Sequence, residues 1–405
     1  MRILTLHTYY EQPGGEDEVF MAEAALLQER GHEVIKITFH NRDLEILSRW
    51  RQAPVTLWNW RAYRHVREAI QNQQPQVVHV HNTFPLASPA VIHGARAEGV
   101  PVVVSLHNPR LMCPSANFWY RGRLCTQCLG KFFAWPGVMR GCYRGSKLYT
   151  LGVAAMVSLH KCLGTWSRLV DKYIVFTELY RDLFIQAGIP ASKIAIKPHF
   201  VADPKGLLFR RSPMEIACES DEKYAIFVGR LDPEKGILPL INAWKILHAQ
   251  GLKIRLKIRG HGRLSSWIWQ EVQTHGLDVE CLPRLSKEDL FQLIANAQFL
   301  VWPSEGWYET FGLVAVEAFA CGTPVLASGT GVALSIVRDG VTGIFFRPGD
   351  PEDLAVKVRW LLAYPEKLSQ MRKEARAEYE SKYTPEKNYE LLMDIYSKVI
   401  KHKTG

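Results

Sequence analysis

The sequence predicts an α/β protein of two doubly wound domains, and three observations predict it. Strand and helix patterns alternate along the N-terminal half, a second alternating series begins at Tyr224, and an irregular stretch, residues 203–223, separates them. In the first half, residues 3–6 are a short apolar strand, Pro13-Gly14-Gly15 is a turn, and residues 16–30 are a helix. Val19, Phe20, Glu23, Leu26 and Leu27 recur there at helical spacing, and Gly31 stops the helix. Residues 34–39, 77–80, 102–106, 173–176 and 194–196 read as further strands. The linker carries Pro204, Gly206, Arg210, Arg211, Pro213 and a Glu-Ser-Asp-Glu run. Beyond it, residues 224–228, 254–258 and 299–302 are strands, residues 237–249 and 287–296 are helices, and the chain ends in a charged helical stretch. Such βαβ units make a parallel sheet whose ligands sit at the carboxyl ends of its strands. The simplest architecture sets the two domains face to face across a cleft.

Composition narrows the function. With 47% apolar and 22% charged residues, the chain is not disordered, a coiled coil or a multi-span membrane protein. A net charge of +10 suits an anionic partner such as a nucleotide, a phospholipid surface or a nucleic acid. The longest apolar run, residues 148–159, is too short to span a bilayer. The opening residues lack an export signal, so a cytoplasmic protein with reduced thiols is expected.

Residues 303–324 carry the strongest chemistry. They follow a strand, turn, and open a helix near Phe311 that ends at Gly322. The backbone N–H groups of Thr310, Phe311, Gly312 and Leu313 at such a helix start favour an anion. Glu309 and Glu317 flank that start, and carboxylates beside an anion make sense if they accept hydrogen bonds from sugar hydroxyls. The bland alternative is that Glu309 only caps the helix dipole and Glu317 is solvated. Arg230 and Lys235 stand across a turn after the strand at 224–228 and can converge on one diphosphate. Gly260-His261-Gly262 and the Gly14-Gly15 pair each follow a strand and allow close approach of a ligand to the backbone.

The spacing Glu309-x7-Glu317, with Phe311-Gly312-Leu313 between and Glu-Ala-x-Ala-x-Gly-Thr-Pro-Val after, resembles the signature of the family 4 retaining glycosyltransferases. That resemblance implies a GT-B fold, two facing Rossmann-like doubly wound domains with a C-terminal helix crossing back to the first. The domains are then residues 1–205 for the acceptor, 206–382 for the nucleotide-sugar, and a final helix, 383–405. The resemblance implies that Glu309 contacts donor sugar hydroxyls, Glu317 the ribose, and the amides around Thr310 to Leu313 the sugar and phosphate. Arg230 and Lys235 would neutralise the leaving diphosphate, and Gly229, Gly260 and Arg284 would border the nucleotide. Gly14 and Gly15 match the family's glycine-pair loop, and His107 its strand-end His against the donor sugar, with Asn108 where an Asp is usual. His81 would face the acceptor, whereas His79 reads as a core histidine satisfied by backbone. No cofactor is required for catalysis on this reading, and no Asp-x-Asp metal clamp occurs in the sequence.

Cys113, Cys125, Cys128 and Cys142 have the spacing C-x11-C-x2-C-x13-C and resemble a Cys-rich insertion found in a subset of the family. They read as a structural zinc site, an iron–sulfur cluster, or unliganded, oxidisable thiols. Residues 42–67 interleave Arg42, Arg49, Arg51, Arg61, Arg64 and Arg67 with Trp50, Trp58, Trp60 and Tyr63. With residues 118–121 and 132–135, this stretch suits the inner face of an anionic membrane or merely covers its own core. No nucleic-acid module is recognisable. The expected partners are therefore a nucleotide-diphosphate sugar donor and a glycan or lipid-linked acceptor. A non-catalytic or epimerase-type GT-B protein is the rival reading.

Overall fold

The computed structural model describes residues 1–11, 14–46, 48–208, 223–306 and 309–404, and most of the predicted linker lies outside them. The chain divides into two compact units. The first is built on six strands: β1 (Arg2–Tyr9), β2 (Glu33–His40), β3 (Val77–Val80), β4 (Val102–Ser105), β5 (Lys172–Val175) and β6 (Ile194–Ile196). The second has β7 (Tyr224–Val228), β8 (Arg255–Arg259), β9 (Val279–Leu282), β10 (Phe299–Trp302), β11 (Val325–Ser328) and β12 (Gly343–Phe346). All neighbours pair in parallel, with Ile3 opposite both Val34 and Val77, and Leu300 opposite both Ile226 and Val325. The β-branched runs of β3 and β4 are buried throughout, as expected of strands covered by helices on both faces.

Strand order decides where ligands go. The first sheet runs β2-β1-β3-β4-β5-β6 and the second β9-β8-β7-β10-β11-β12. The order reverses between β1 and β3 in the first, and between β7 and β10 in the second. Loops leaving the carboxyl ends of these paired strands diverge to opposite faces and leave a crevice.

Five helices position the candidate residues. They are α1 (Gly15–Glu29), α2 (Trp60–Gln73), α3 (Trp135–Arg140), α4 (Lys147–Cys162) and α5 (Leu313–Ala320). Helix α1 starts one residue before the predicted boundary, and β1 runs beyond the four apolar residues read as a strand. The basic stretch at 42–67 is helical, in three pieces: Arg42–Glu45, Arg49–Leu57 and α2. A short helix, Lys205–Leu208, stands where the linker was expected to be irregular. Asp203 before it is anchored by Arg376 at 2.7 Å. The C-terminal helix α6 (Pro385–Thr404) belongs with the first unit from Asn388 onward. It is tied there by Tyr396 to His79 and by Tyr389 to His32.

Candidate active site

In the second unit the two strands at the reversal point carry the residues singled out by sequence. The loop after β7 brings Arg230, Asp232, Glu234 and Lys235; the loop after β10 brings Ser304, Glu305 and Glu309. Gly236 lets them meet. Its φ is +72°, and a Cβ there would lie 1.9 Å from the Pro303 carbonyl oxygen, so only glycine allows the two backbones this close. Lys235 Nζ then lies 3.1 Å from Glu309 Oε2, with 15% and 14% of the two side chains exposed. The same oxygen accepts from Trp302 Nε1–H at 3.1 Å and from the Ser304 hydroxyl at 3.2 Å. Trp302 and Ser304 were not legible as site residues, because nothing in a strand-end Trp-Pro-Ser announces that its polar atoms turn toward a carboxylate.

Arg230 and Lys235, the two cations that the sequence sets across one turn, lie against different carboxylates. Arg230 turns to Asp232 at 3.1 Å and Glu234 at 3.8 Å, and 61% of its side chain is exposed. Arg263 holds the same two carboxylates at 3.1 and 3.0 Å. Burial pushes the Asp232 carboxyl up, but its bonds to Arg263 and the charge of Arg230 more than reverse this, leaving it below the usual range. Burial also raises Glu305, a carboxyl that the sequence reading passed over.

The glycines acquire a second role. A Cβ on Gly260 would lie 1.9 Å from the Gly229 carbonyl oxygen, and one on Gly262 2.5 Å from that of Leu231. The turns after β7 and β8 thus pack backbone to backbone, a requirement independent of any ligand. Gly312 has φ +100° and caps α5, and a Cβ would strike the Trp302 ring. Helix α5 starts at Leu313 and ends at Ala320, shorter at both ends than the predicted helix. Thr310, Phe311 and Gly312 therefore precede it, with Phe311 buried against His199 at a ring distance of 5.0 Å. Glu317 is half-buried on α5, and Arg284 is exposed beyond β9. Trp307 and Tyr308 of the same motif, and Pro13 of the first loop, lie outside the described residues.

The first unit answers with a network that the sequence reading did not foresee. Gly14 caps α1 and its N–H donates to Asp17 Oδ2 at 2.9 Å, while Asp17 Oδ1 lies 2.7 Å from buried His7 Nε2. Among the described residues nothing would lie within 4 Å of a Cβ on Gly14; Gly15 is the first helical residue. Asn108 donates to Glu16 at 2.7 Å, which explains how an amide serves beside a carboxylate. Behind them, Glu23 is enclosed by Lys197 at 2.6 Å, His79 at 3.1 Å and His81 at 3.3 Å. His79 also meets Tyr396 and Ser105, so it is held by side chains rather than by backbone as predicted. His81 Nδ1 lies 3.1 Å from His107 Nε2, joining the buried carboxylate to the strand-end histidine. Burial would raise the Glu23 carboxyl, but Lys197 and His79 drive it well below the usual range. Burial and the neighbouring His79 push His81 down to about 3.

The four clustered cysteines line one small cavity in the first unit. Burial pushes the Cys128 thiol up to about 11 and raises Cys142 as well. Among the described residues, the group of three ligand atoms drawn within 4.8 Å is Glu23, His79 and His81, whereas the sulfurs share a cavity less tightly.

Comparison with known proteins agrees with this architecture. Residues 13–203 match the family model described as Glycosyltransferase Family 4, and residues 211–378 the model described as Glycosyl transferases group 1. An uncharacterized glycosyltransferase of Methanocaldococcus jannaschii is 39% identical over 150 residues, 36% of this chain and 37% of that protein. The lipopolysaccharide 1,2-N-acetylglucosaminetransferase of Salmonella typhimurium is 28% identical over 188 residues, 43% of this chain and 48% of that protein. The chain thus spans half or less of the length of the curated relatives it matches. A glycosyltransferase from Rickettsia africae superposes with a TM-score of 0.73 at 15% identity, covering 99% of both chains. Anabaena HepE, solved with UDP and glucose, gives 0.70 at 19%, covering 98% of this chain and 100% of that one. With a parallel sheet behind each of two tandem family models, the chain belongs to the GT-B glycosyltransferases that join a family 4 domain to a group 1 domain.

Proposed function

We propose that the protein is a retaining glycosyltransferase that moves a sugar from a nucleotide-diphosphate donor to a glycan or lipid-linked acceptor in cell-surface polysaccharide or glycolipid synthesis. The observation that carries this is the Lys235–Glu309 pair at the reversal point of the second sheet. A donor brings an anion for Lys235 and hydroxyls for Glu309, so it replaces the resting ion pair with two matched contacts at one place. Arg230, exposed on the same loop, supplies a second cation for the diphosphate. In the transfer, the bond between the anomeric carbon and the phosphate oxygen breaks, and the acceptor oxygen bonds to the same face. Its proton passes to the leaving phosphate. Lys235 and Arg230 offset the charge growing there; Glu309 and His107 orient the sugar and Glu317 the ribose. No Asp-x-Asp clamp is present, and metal-independent chemistry follows from this reading.

The acceptor side is read from the first unit. No Asp or Glu occurs between Glu98 and Asp171, a stretch that holds nine Lys and Arg. Phe132, Trp135, Met139 and Leu148 in that stretch are exposed. Trp60 is exposed as well, whereas Trp58 stacks on His160 and Tyr63 is half-buried. A basic surface bearing apolar side chains suits peripheral contact with the cytoplasmic face of an anionic membrane. No helix among the described residues is long and apolar enough to cross a membrane.

Thermal stabilisation by UDP-, GDP-, ADP- and dTDP-sugars, followed by release of the nucleoside diphosphate, tests the donor assignment. One nucleotide-sugar is expected to stabilise the wild-type chain, and Glu309→Gln is expected to abolish release while leaving the fold intact. Unchanged release by Glu309→Gln would defeat the reading.

A further inference from the structure

The segment between β4 and α4, residues 106–146, is mostly irregular chain, and its one helix of note is the six-residue α3. So long an excursion inside a compact unit needs something to hold it. Three separate turns bring sulfur to the wall of one cavity. Cys113 closes a turn on Pro109, and Ala116 closes the next turn on Cys113. Cys125 precedes, and Cys128 lies within, a turn in which Leu129 N–H donates to Thr126 O. Cys142 follows Gly141, which ends α3 at φ +64°, and its N–H returns to Gly137 O. All four side chains border one cavity of about 10 Å³, room for a single small ion. Gly137 keeps the cavity open, since a Cβ there would lie 3.4 Å from Cys128 Sγ and 3.2 Å from Pro114.

We propose that Cys113, Cys125, Cys128 and Cys142 form a structural zinc site that ties the turns of this segment to one another. Electrostatics favours it. A zinc ion with four thiolates carries two net negative charges, and the chain around it has no acidic residue from 99 to 170. Arg140 Nη1 donates to Cys125 Sγ at 3.3 Å, a charge-assisted bond of the kind that supports metal-bound thiolates. Glu23, His79 and His81 are the competing cluster, but Lys197 already occupies Glu23, and a cation there would meet an ammonium group. The site is independent of the proposed transfer reaction, and it is read without an activity assay.

The test is the metal content and thiol reactivity of the full chain purified without added metal. Stoichiometric zinc is expected, with the four thiols shielded from alkylation until a chelator is added. Cobalt(II) exchange should give the charge-transfer absorption of thiolate ligands and the visible bands of a tetrahedral site. Cys128→Ser and Cys142→Ser should each lose the metal and lower the melting temperature by roughly 5 °C or more. Should these variants fail to fold, the wild-type chain decides alone through chelation and refilling with zinc. His81→Asn should keep its zinc. A metal-free chain that takes up no zinc and whose thiols alkylate freely would overturn the proposal, as would a disulfide among the four or a brown, iron-containing protein.

Discussion

Each sheet contains a reversal point, and the two units use it in opposite ways. After β7 and β10, charged groups stay near water: Lys235 and Glu309 are each about one-seventh exposed, and Arg230 mostly so. Behind β1 and β3, the charged pair is sealed: Lys197 and Glu23 are at most 3% exposed. The difference teaches where a ligand can exchange. An ion pair at the edge of solvent opens at little cost, because water or a ligand replaces each partner. A sealed pair cannot open, because removing one member strands a charge in a low dielectric. The first stays open to exchange, whereas the second is closed behind His81 and its neighbour His107.

Substitutions at the two lysines sharpen this contrast. Lys197→Met should cost about 3–5 kcal/mol of stability by urea unfolding, since Glu23 keeps its charge without its counter-ion. A loss below about 1 kcal/mol would mean that the network is not stabilised by charge. Lys235→Met should leave stability within about 1 kcal/mol yet lower turnover by about a hundred- to a thousandfold. If both variants behaved alike, the division between a sealed and an exchangeable pair would be wrong. Gly236→Ala lies between these effects. The new methyl group must push the Pro303 carbonyl away, and about 1–3 kcal/mol of stability should be lost along with donor-induced thermal stabilisation.

The smallest effect is on pH. His81 is held neutral in the folded protein with its pKa lowered to about 3, mainly by burial. The unfolded chain binds a proton near pH 6.5, so acid favours unfolding. Stability from this group is complete above about pH 6.5 and falls as the pH drops toward about 3. Between pH 7.5 and 5.5 it should decline by about 1 kcal/mol, and His81→Asn should flatten that slope in denaturant titrations.

Local chemistry in the sequence determined the elements and the site's vocabulary. The Val-rich runs of β3 and β4 can only be buried strands, and Gly31 ends α1 wherever the helix packs. The Glu309-x7-Glu317 spacing and the Arg230–Lys235 turn marked the C-terminal site because both stand directly after strands. Strand order belongs to the tertiary structure, since hydrophobic period says that a strand is buried and not which strand it joins. The partnership of Lys235 with Glu309, 74 positions apart, follows from β7 lying beside β10 and from Gly236 fitting under Pro303. The Glu23 network lay hidden for the same reason. Glu23 falls on the buried face of an ordinary helix, and Lys197 follows an ordinary strand. Their charges are tolerable only together, and distance in space, which packing alone sets, brings them together.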